Sequence, residues 1–218
     1  MLDRYEWLSL LAKSIPEDAL VMSTYIGAVG FEWGQLTKEH PRTAQLGQMG
    51  DVIGLATGLA LALPHRKVVC IDGDGSVLME LGQLVALGQE SPANLVVFVV
   101  DNGVYESIGS NKVTGAARPT ATSARADLAA IAHGAGVPYA VNVRTMEELQ
   151  REMKAAFSEL GCRFINVRTK PGRSKAPPRQ IDAFEDKYRF VRYVEQLEGI
   201  QILIRQQQDF ELMEGHKH

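Results

Sequence analysis

The chain has 218 residues, 45% of them hydrophobic, with 20 glycines, 9 prolines and 2 cysteines. That length suits one compact α/β domain with an appendage, and a core of that size needs no disulfide or structural metal to hold it. Lys and Arg total 23 against 26 Asp and Glu, a net of −3, which excludes both a dedicated nucleic-acid binder and a charge-heavy disordered chain.

The opening MLDRYEWLSLLAK carries acids among its apolar residues and has no small-residue cleavage site, so it does not read as a signal peptide. Leu2, Tyr5, Leu8 and Leu11 stand at helical spacing, and Pro16 stops the run. Residues 19–25 (ALVMSTY) read as a strand, and residues 31–39 as a short helix or irregular segment ended by Pro41. Residues 51–63 form an apolar helix with Gly50, Gly54 and Gly58 on one face, which predicts close packing against its backbone.

Residues 67–72 (KVVCID) are a buried strand, and residues 79–89 a helix with Leu81, Leu84 and Val85 turned inward. The continuous apolar run of residues 94–101 (NLVVFVVD) marks a strand covered on both faces. After a loop, residues 127–134 make a helix and residues 139–143 a strand. Thr145 and Glu148 form a capping box for a helix burying Met146, Leu149, Met153 and Phe157, and RFINVR (163–168) is a final strand.

Strands alternating with helices predict an α/β fold with a doubly wound parallel sheet, whose ligands sit at the carboxyl ends of the strands. The expected domain covers residues 1–172, followed by a proline-rich linker and helical tail over residues 173–218. In that tail Ile181, Phe184, Tyr188, Val191 and Val194 recur at helical spacing, fitting either a neighbouring subunit or the chain's own domain. The longest apolar stretches fall short of a membrane span, and a soluble, cytoplasmic protein with neither membrane nor nucleic-acid partners is expected.

The chemistry concentrates in Ile71-Asp-Gly-Asp-Gly-Ser76, at the end of one buried strand. Gly73 and Gly75 permit a sharp turn that brings main-chain N–H groups to a phosphate, and Asp74 is a hard oxygen donor. Asp101-Asn102-Gly103-Val104-Tyr105 ends the next strand, so Asp74 and Asn102 reach the same sheet edge. One carboxylate, one amide oxygen and a nearby carbonyl suit Mg²⁺ that keeps phosphate oxygens as its other ligands.

This spacing resembles the thiamine diphosphate signature, and LGQMGDVIGLATGLALALPHRKVVCIDGDGSVLMELGQLVAL resembles the pyrophosphate-binding domain of thiamine diphosphate-dependent 2-oxo acid decarboxylases. The likeness is nearest to the sulfopyruvate and phosphonopyruvate decarboxylases and covers roughly residues 16–172. It implies Asp74, Asn102 and the Val104 carbonyl as Mg²⁺ ligands, with Gly73, Gly75, Ser76 and Tyr105 around the diphosphate. It further implies a Gly47 carbonyl that accepts from the aminopyrimidine, Met49 as the wedge that bends the cofactor, and Gly27 near the diphosphate.

The resemblance also implies an activating glutamate from a pyrimidine-binding domain. None of Glu32, Glu80 and Glu106 occupies that position, so the glutamate is expected from a second (alpha) subunit in a hetero-oligomer acting on a small 2-oxo acid. Two stretches depart from the family pattern: Gly47-Gln48-Met49-Gly50, and Ser107-Ile-Gly-Ser-Asn-Lys112 in the loop facing the substrate. Lys112, Arg118 and Arg125 can pair with an anionic substrate group. The alternatives are an acetolactate synthase-like carboligase subunit, an oxidoreductase subunit, and a non-catalytic subunit that binds the cofactor for assembly only. Cys70 and Cys162 read as buried apolar residues, and no histidine carries a catalytic pattern.

Overall fold

The computed structural model describes residues 1–25, 27–106, 118–179 and 181–203. Strands β1 (Leu20–Thr24), β2 (Thr43–Leu46), β3 (Val68–Gly73), β4 (Leu95–Asp101), β7 (Tyr139–Val143) and β8 (Arg163–Arg168) form one sheet in the order β2-β1-β3-β4-β8-β7. Every pairing in it is parallel. Two short strands, β5 (Val104–Tyr105) and β6 (Arg118–Pro119), pair antiparallel beyond its carboxyl edge.

The two-residue alternation of a strand divides the core in two. Val68, Cys70, Leu95, Val97 and Val99 face one layer, while Val69, Ile71, Val96, Phe98 and Val100 face the other. On the second face lie helices α1 (Arg4–Ser14), α2 (Gly27–Thr37) and α7 (Met146–Ser158), whose Trp7, Trp33 and Met153 join that layer. Against the first face lie α3 (Val52–Ala62), α5 (Gly82–Glu90), α6 (Leu128–Gly134) and α8 (Ala183–Glu198). Both faces are covered, which is why β3 and β4 read as unbroken apolar runs.

Caps fix the helix ends where the sequence offers them. The Thr145–Glu148 box is reciprocal, and Asp3, Asp127 and Asp182 accept from the first turns of α1, α6 and α8. The Asn94 amide donates to the carbonyls of Ala60, Leu63 and Arg66, satisfying the end of α3 that no helical N–H can reach.

Four details differ from the sequence expectation. The segment before Pro41 is helical from Gly27, and β2 forms from TAQL, too short and polar a run to signal itself. The helix expected over 79–89 is α5, which starts at Gly82 and follows a separate short helix, α4 (Asp74–Met79). Its buried face is Gln83, Leu84 and Leu87, whereas Leu81 and Val85 are exposed. Finally, a Cβ on Gly54 or Gly58 would meet nothing within 4 Å, so no described residue packs against that face of α3.

The carboxyl-terminal helix α8 lies back on its own domain over β2. It is anchored there by Phe190 and Val194, and Asp186 accepts from the Gln45 N–H at 2.7 Å. Phe184 and Tyr188, expected on the buried stripe, are exposed.

Candidate active site

In the order β2-β1-β3, the chain leaves β1 toward one edge and resumes with β3 on its other side, so the crevice beyond β1 and β3 is a topological switch point. A small cavity of about 60 Å³ opens there. Its walls include Thr24 at the end of β1, Gly27 and Val29 of α2, Gly73 to Ser76 after β3, Val100 of β4, and Asn102, Val104, Tyr105 and Glu106. The cofactor and metal candidates all line it except Gly47, which lies exposed after β2.

Asp74 is buried in the first turn of α4. The hydroxyls of Thr120 and Thr122 donate to its Oδ2 at 2.6 and 2.7 Å, and these two oxygens lie 2.8 Å apart. Burial raises the Asp74 carboxyl above its ordinary pKa, opposed by these two hydrogen bonds and reinforced by the charge of Asp101. Asp72, fully buried at the end of β3, is pushed up to about 7, chiefly by burial. Among the described residues, Asp101 alone of the three buried acids at this edge has a cationic partner, Arg168 at 2.6 Å.

Neither Asp72 nor Asp74 pairs with Lys, Arg or His among the described residues. A carboxylate held in low dielectric without a counter-charge is the condition that a bound divalent cation relieves. The described residues hold no cluster of three His, Cys, Asp or Glu able to bind a metal. The donor set in view, one carboxylate with neutral oxygens beside it, has the chemistry of a Mg²⁺ site that shares its ion with phosphate oxygens.

The remaining candidates fall into place around this pair. Asn102 Oδ1 accepts the Val104 N–H at 2.9 Å, folding the segment after β4 into a tight turn beside the cavity. Gly103, within that turn, has φ +73°. Space beside Gly73 is open, as a phosphate would need. Beside Gly75 it is not: a Cβ there would lie 2.5 Å from Tyr105 Cε1 and 3.5 Å from Met49 Cε. Glycine is thus required at 75 by the Tyr105 ring, whatever ligand binds.

Ser76 lines the cavity but has its hydroxyl engaged elsewhere. It donates to Asp72 Oδ2 at 2.9 Å and accepts the Gly50 N–H at 2.8 Å, tying the turn that carries Met49 to the end of β3. Its backbone N–H is what it can offer an anion. Arg118 and Arg125 are exposed, and neither lines the cavity. Lys112 and the expected loop 107–112 lie outside the described residues. Thr120, Thr122 and Glu106 were not singled out for this site by the sequence, because side chains that approach Asp74 from 46 and 48 residues away leave no local pattern.

Comparison with known proteins gives the family and the fold. The chain is 31% identical over 191 residues to the sulfopyruvate decarboxylase subunit beta of Methanocaldococcus jannaschii, covering 88% of this chain and 96% of that one. It is 32% identical over 180 residues to the phosphonopyruvate decarboxylase of Streptomyces viridochromogenes, covering 80% of this chain but 43% of that protein. Among solved structures, the fold matches the thiamine diphosphate-dependent 4-hydroxybenzoylformate decarboxylase of Rhodococcus jostii RHA1 with a TM-score of 0.62 at 22% identity. A thiamin diphosphate-dependent enzyme of Mycobacterium smegmatis gives 0.61 at 24%. The chain spans about a third of either structure, 33% and 32% respectively. Residues 24–167, two-thirds of the chain, match the C-terminal TPP-binding domain of thiamine pyrophosphate enzymes, and the chain belongs to that family.

Proposed function

We propose that this chain is the diphosphate-binding subunit of a two-chain, thiamine diphosphate- and Mg²⁺-dependent 2-oxo acid decarboxylase, acting on a sulfopyruvate- or phosphonopyruvate-like substrate. The observation that carries the reading is Asp74, buried at the switch point without a cationic partner among the described residues and oriented by two threonine hydroxyls. Asp74, the Asn102 amide oxygen and the Val104 carbonyl would hold the cation. The turn from Gly73 to Ser76 would present main-chain donors to the diphosphate, and Met49 and Tyr105 would close apolar surface over it. When bound, thiamine diphosphate supplies the acceptor for the electron pair released with CO₂. The protein's part is to anchor the cofactor, orient it and exclude water.

Two observations support a second chain. A cavity of about 60 Å³ is far below the roughly 300–1,000 Å³ of an enclosed small-molecule site, so this chain contributes one wall only. The matched beta subunit is covered over 96% of its length, whereas the phosphonopyruvate decarboxylase is covered over 43%. What the longer relative carries on one chain would here reside on a companion that brings the activating glutamate.

The outer face of α3 and α5 suits that companion. Leu55, Leu61, Met79, Leu81 and Val85 are exposed there, beside the open faces of Gly54 and Gly58. This face continues into the site, because Gly50 abuts Glu80 and bonds to Ser76.

Acetolactate synthase relatives favour carboligation as the second reading, among them the large subunit of Parasynechococcus marenigrum at 31% identity over 182 residues. Native mass spectrometry of the protein purified from its own cells tests the assembly. The expected result is a companion of similar size with bound thiamine diphosphate and Mg²⁺, and the same complex should release CO₂ and an aldehyde from a 2-oxo acid. A homo-oligomer that holds the cofactor would overturn the two-chain reading, and coupled C–C products in place of aldehyde would favour carboligation.

A further inference from the structure

Arg4 is the most heavily bonded side chain in the structure that the cofactor reading does not use. It sits in the first turn of α1, only 4% exposed, and does not line the cavity. Its guanidinium joins segments far apart in sequence. Nε donates to Glu32 Oε2 at 2.9 Å, and Nη1 donates to both oxygens of Glu106, at 3.1 and 2.8 Å. Nη2 donates to Glu32 Oε1 at 3.3 Å, and to the carbonyls of Gly172 at 2.9 Å and Arg173 at 3.4 Å. The carboxylates are held from their other sides by main-chain donors, Gly172 N–H to Glu106 and Lys175 N–H to Glu32.

The two carboxylates differ in where they stand. Glu32 is an internal residue of α2, 1% exposed, and is absent from the cavity wall. Glu106 lines the cavity and directly follows Val104 and Tyr105. Those two residues provide the carbonyl beside Asn102 and the ring over Gly75. The two-nitrogen fork to Glu32 fixes the plane of the guanidinium, and Nη1, aimed by that plane, holds both Glu106 oxygens and so sets where this short segment ends.

We infer that Arg4 is a positioning residue of the cofactor site, acting through Glu106 to hold the Val104 carbonyl and the Tyr105 ring in register with Asp74. The inference rests on the cation reading given under Proposed function. Glu32 anchors Arg4 itself. With Glu32 replaced by glutamine, the Gly172 and Arg173 carbonyls still hold Nη2 and the Gly172 N–H still holds Glu106, so the link between α1 and α2 weakens while the Val104–Glu106 segment keeps its anchors.

The test uses the full chain with whatever companion copurifies, and measures thiamine diphosphate binding by calorimetry across a Mg²⁺ titration. For Arg4→Gln, the Mg²⁺ needed for half-maximal binding should rise by about tenfold or more, within the roughly 10–100-fold typical of groups that orient metal ligands. Arg4→Lys should fold and show the same shift, because one ammonium cannot serve Glu106, Glu32 and the Gly172 carbonyl together. Glu32→Gln should lower the melting temperature yet leave the titration within about twofold of wild type. Combining Arg4→Gln with Glu106→Gln should be no worse than Glu106→Gln alone.

Wild-type titration by Arg4→Lys, full additivity with Glu106→Gln, or an equal shift from Glu32→Gln would each overturn the inference. Mg²⁺-independent binding by the wild-type protein would instead overturn the cation reading beneath it.

Discussion

The hydroxyl of Thr122 donates to Asp74 Oδ2 at 2.7 Å, and both side chains are buried beneath the carboxyl edge of the sheet. With Thr120 on the same oxygen, the carboxylate cannot rotate without breaking two charge-assisted bonds. Thr122→Val keeps the shape and removes one donor, which frees the carboxylate and raises its pKa further. The expected outcome is Mg²⁺-dependent cofactor affinity lower by about 10–100-fold, with Thr122→Ser near wild type. Calorimetric titration checks it, and unchanged affinity in Thr122→Val would remove the clasp from the site. Asp74→Ala should abolish Mg²⁺-dependent binding altogether, and surviving affinity would place the cation elsewhere.

Asp72 gives the isolated chain a pH dependence of opposite sign to the usual acidic group. Its folded pKa is raised to about 7 from an ordinary 3.8, so between those values the folded state holds a proton that the unfolded state has lost. The favourable contribution is complete below about pH 4, declines as pH rises, and is gone once pH passes about 7. Asp72→Asn removes the titration and keeps an acceptor for Ser76. Relative to wild type, the variant should gain on the order of 4 kcal/mol between pH 4 and pH 8. Urea unfolding of both proteins at the two pH values measures this, and a constant difference would show that Asp72 stays ionised in the fold.

Much of this site was legible because its signals are local. Gly73, Asp74 and Gly75 follow one unbroken apolar run, Asn102 follows the next, and such runs form neighbouring strands in a parallel sheet. The clasp and the Arg4 hub were not legible, since they join residues separated by 28 to 169 positions with no periodic trace. An arginine in a first helical turn reads as solvated, and only the folded arrangement of Glu32 and Glu106 buries it. The misreading of Leu81 and Val85 has a different cause. The buried face of α5 runs through Gln83, Leu84 and Leu87, so Leu81, ahead of the helix, and Val85, beside that face, are left exposed.

Tyr105 and Gly75 form a steric pair open to substitution. A Cβ at 75 would lie 2.5 and 2.6 Å from the Tyr105 ring, so Gly75→Ala must displace that ring or the turn. Overpacking of this kind costs about 1–3 kcal/mol. Gly75→Ala should lower both the melting temperature and cofactor affinity, and Tyr105→Ala in the same chain should recover much of the stability. No recovery would mean that the turn itself, and not the ring, demands glycine.

Gly58 separates folding from assembly. It lies within α3, where glycine costs about 0.5–1 kcal/mol relative to alanine, and a Cβ there meets nothing within 4 Å. In the isolated chain, then, Gly58→Ala should be stabilising, raising the melting temperature by about 2–4 °C. A glycine retained at a position where alanine folds better implies a constraint from outside the chain, and the exposed Leu55 and Leu61 on the same helix suggest its nature. If a companion helix approaches the α3 backbone there, the added methyl obstructs it, and the two-chain complex should lose affinity as the single chain gains stability. Thermal melting of the isolated chain and native mass spectrometry of the complex read the two effects separately. Higher melting with undiminished assembly would clear this face of any docking role and place the companion elsewhere.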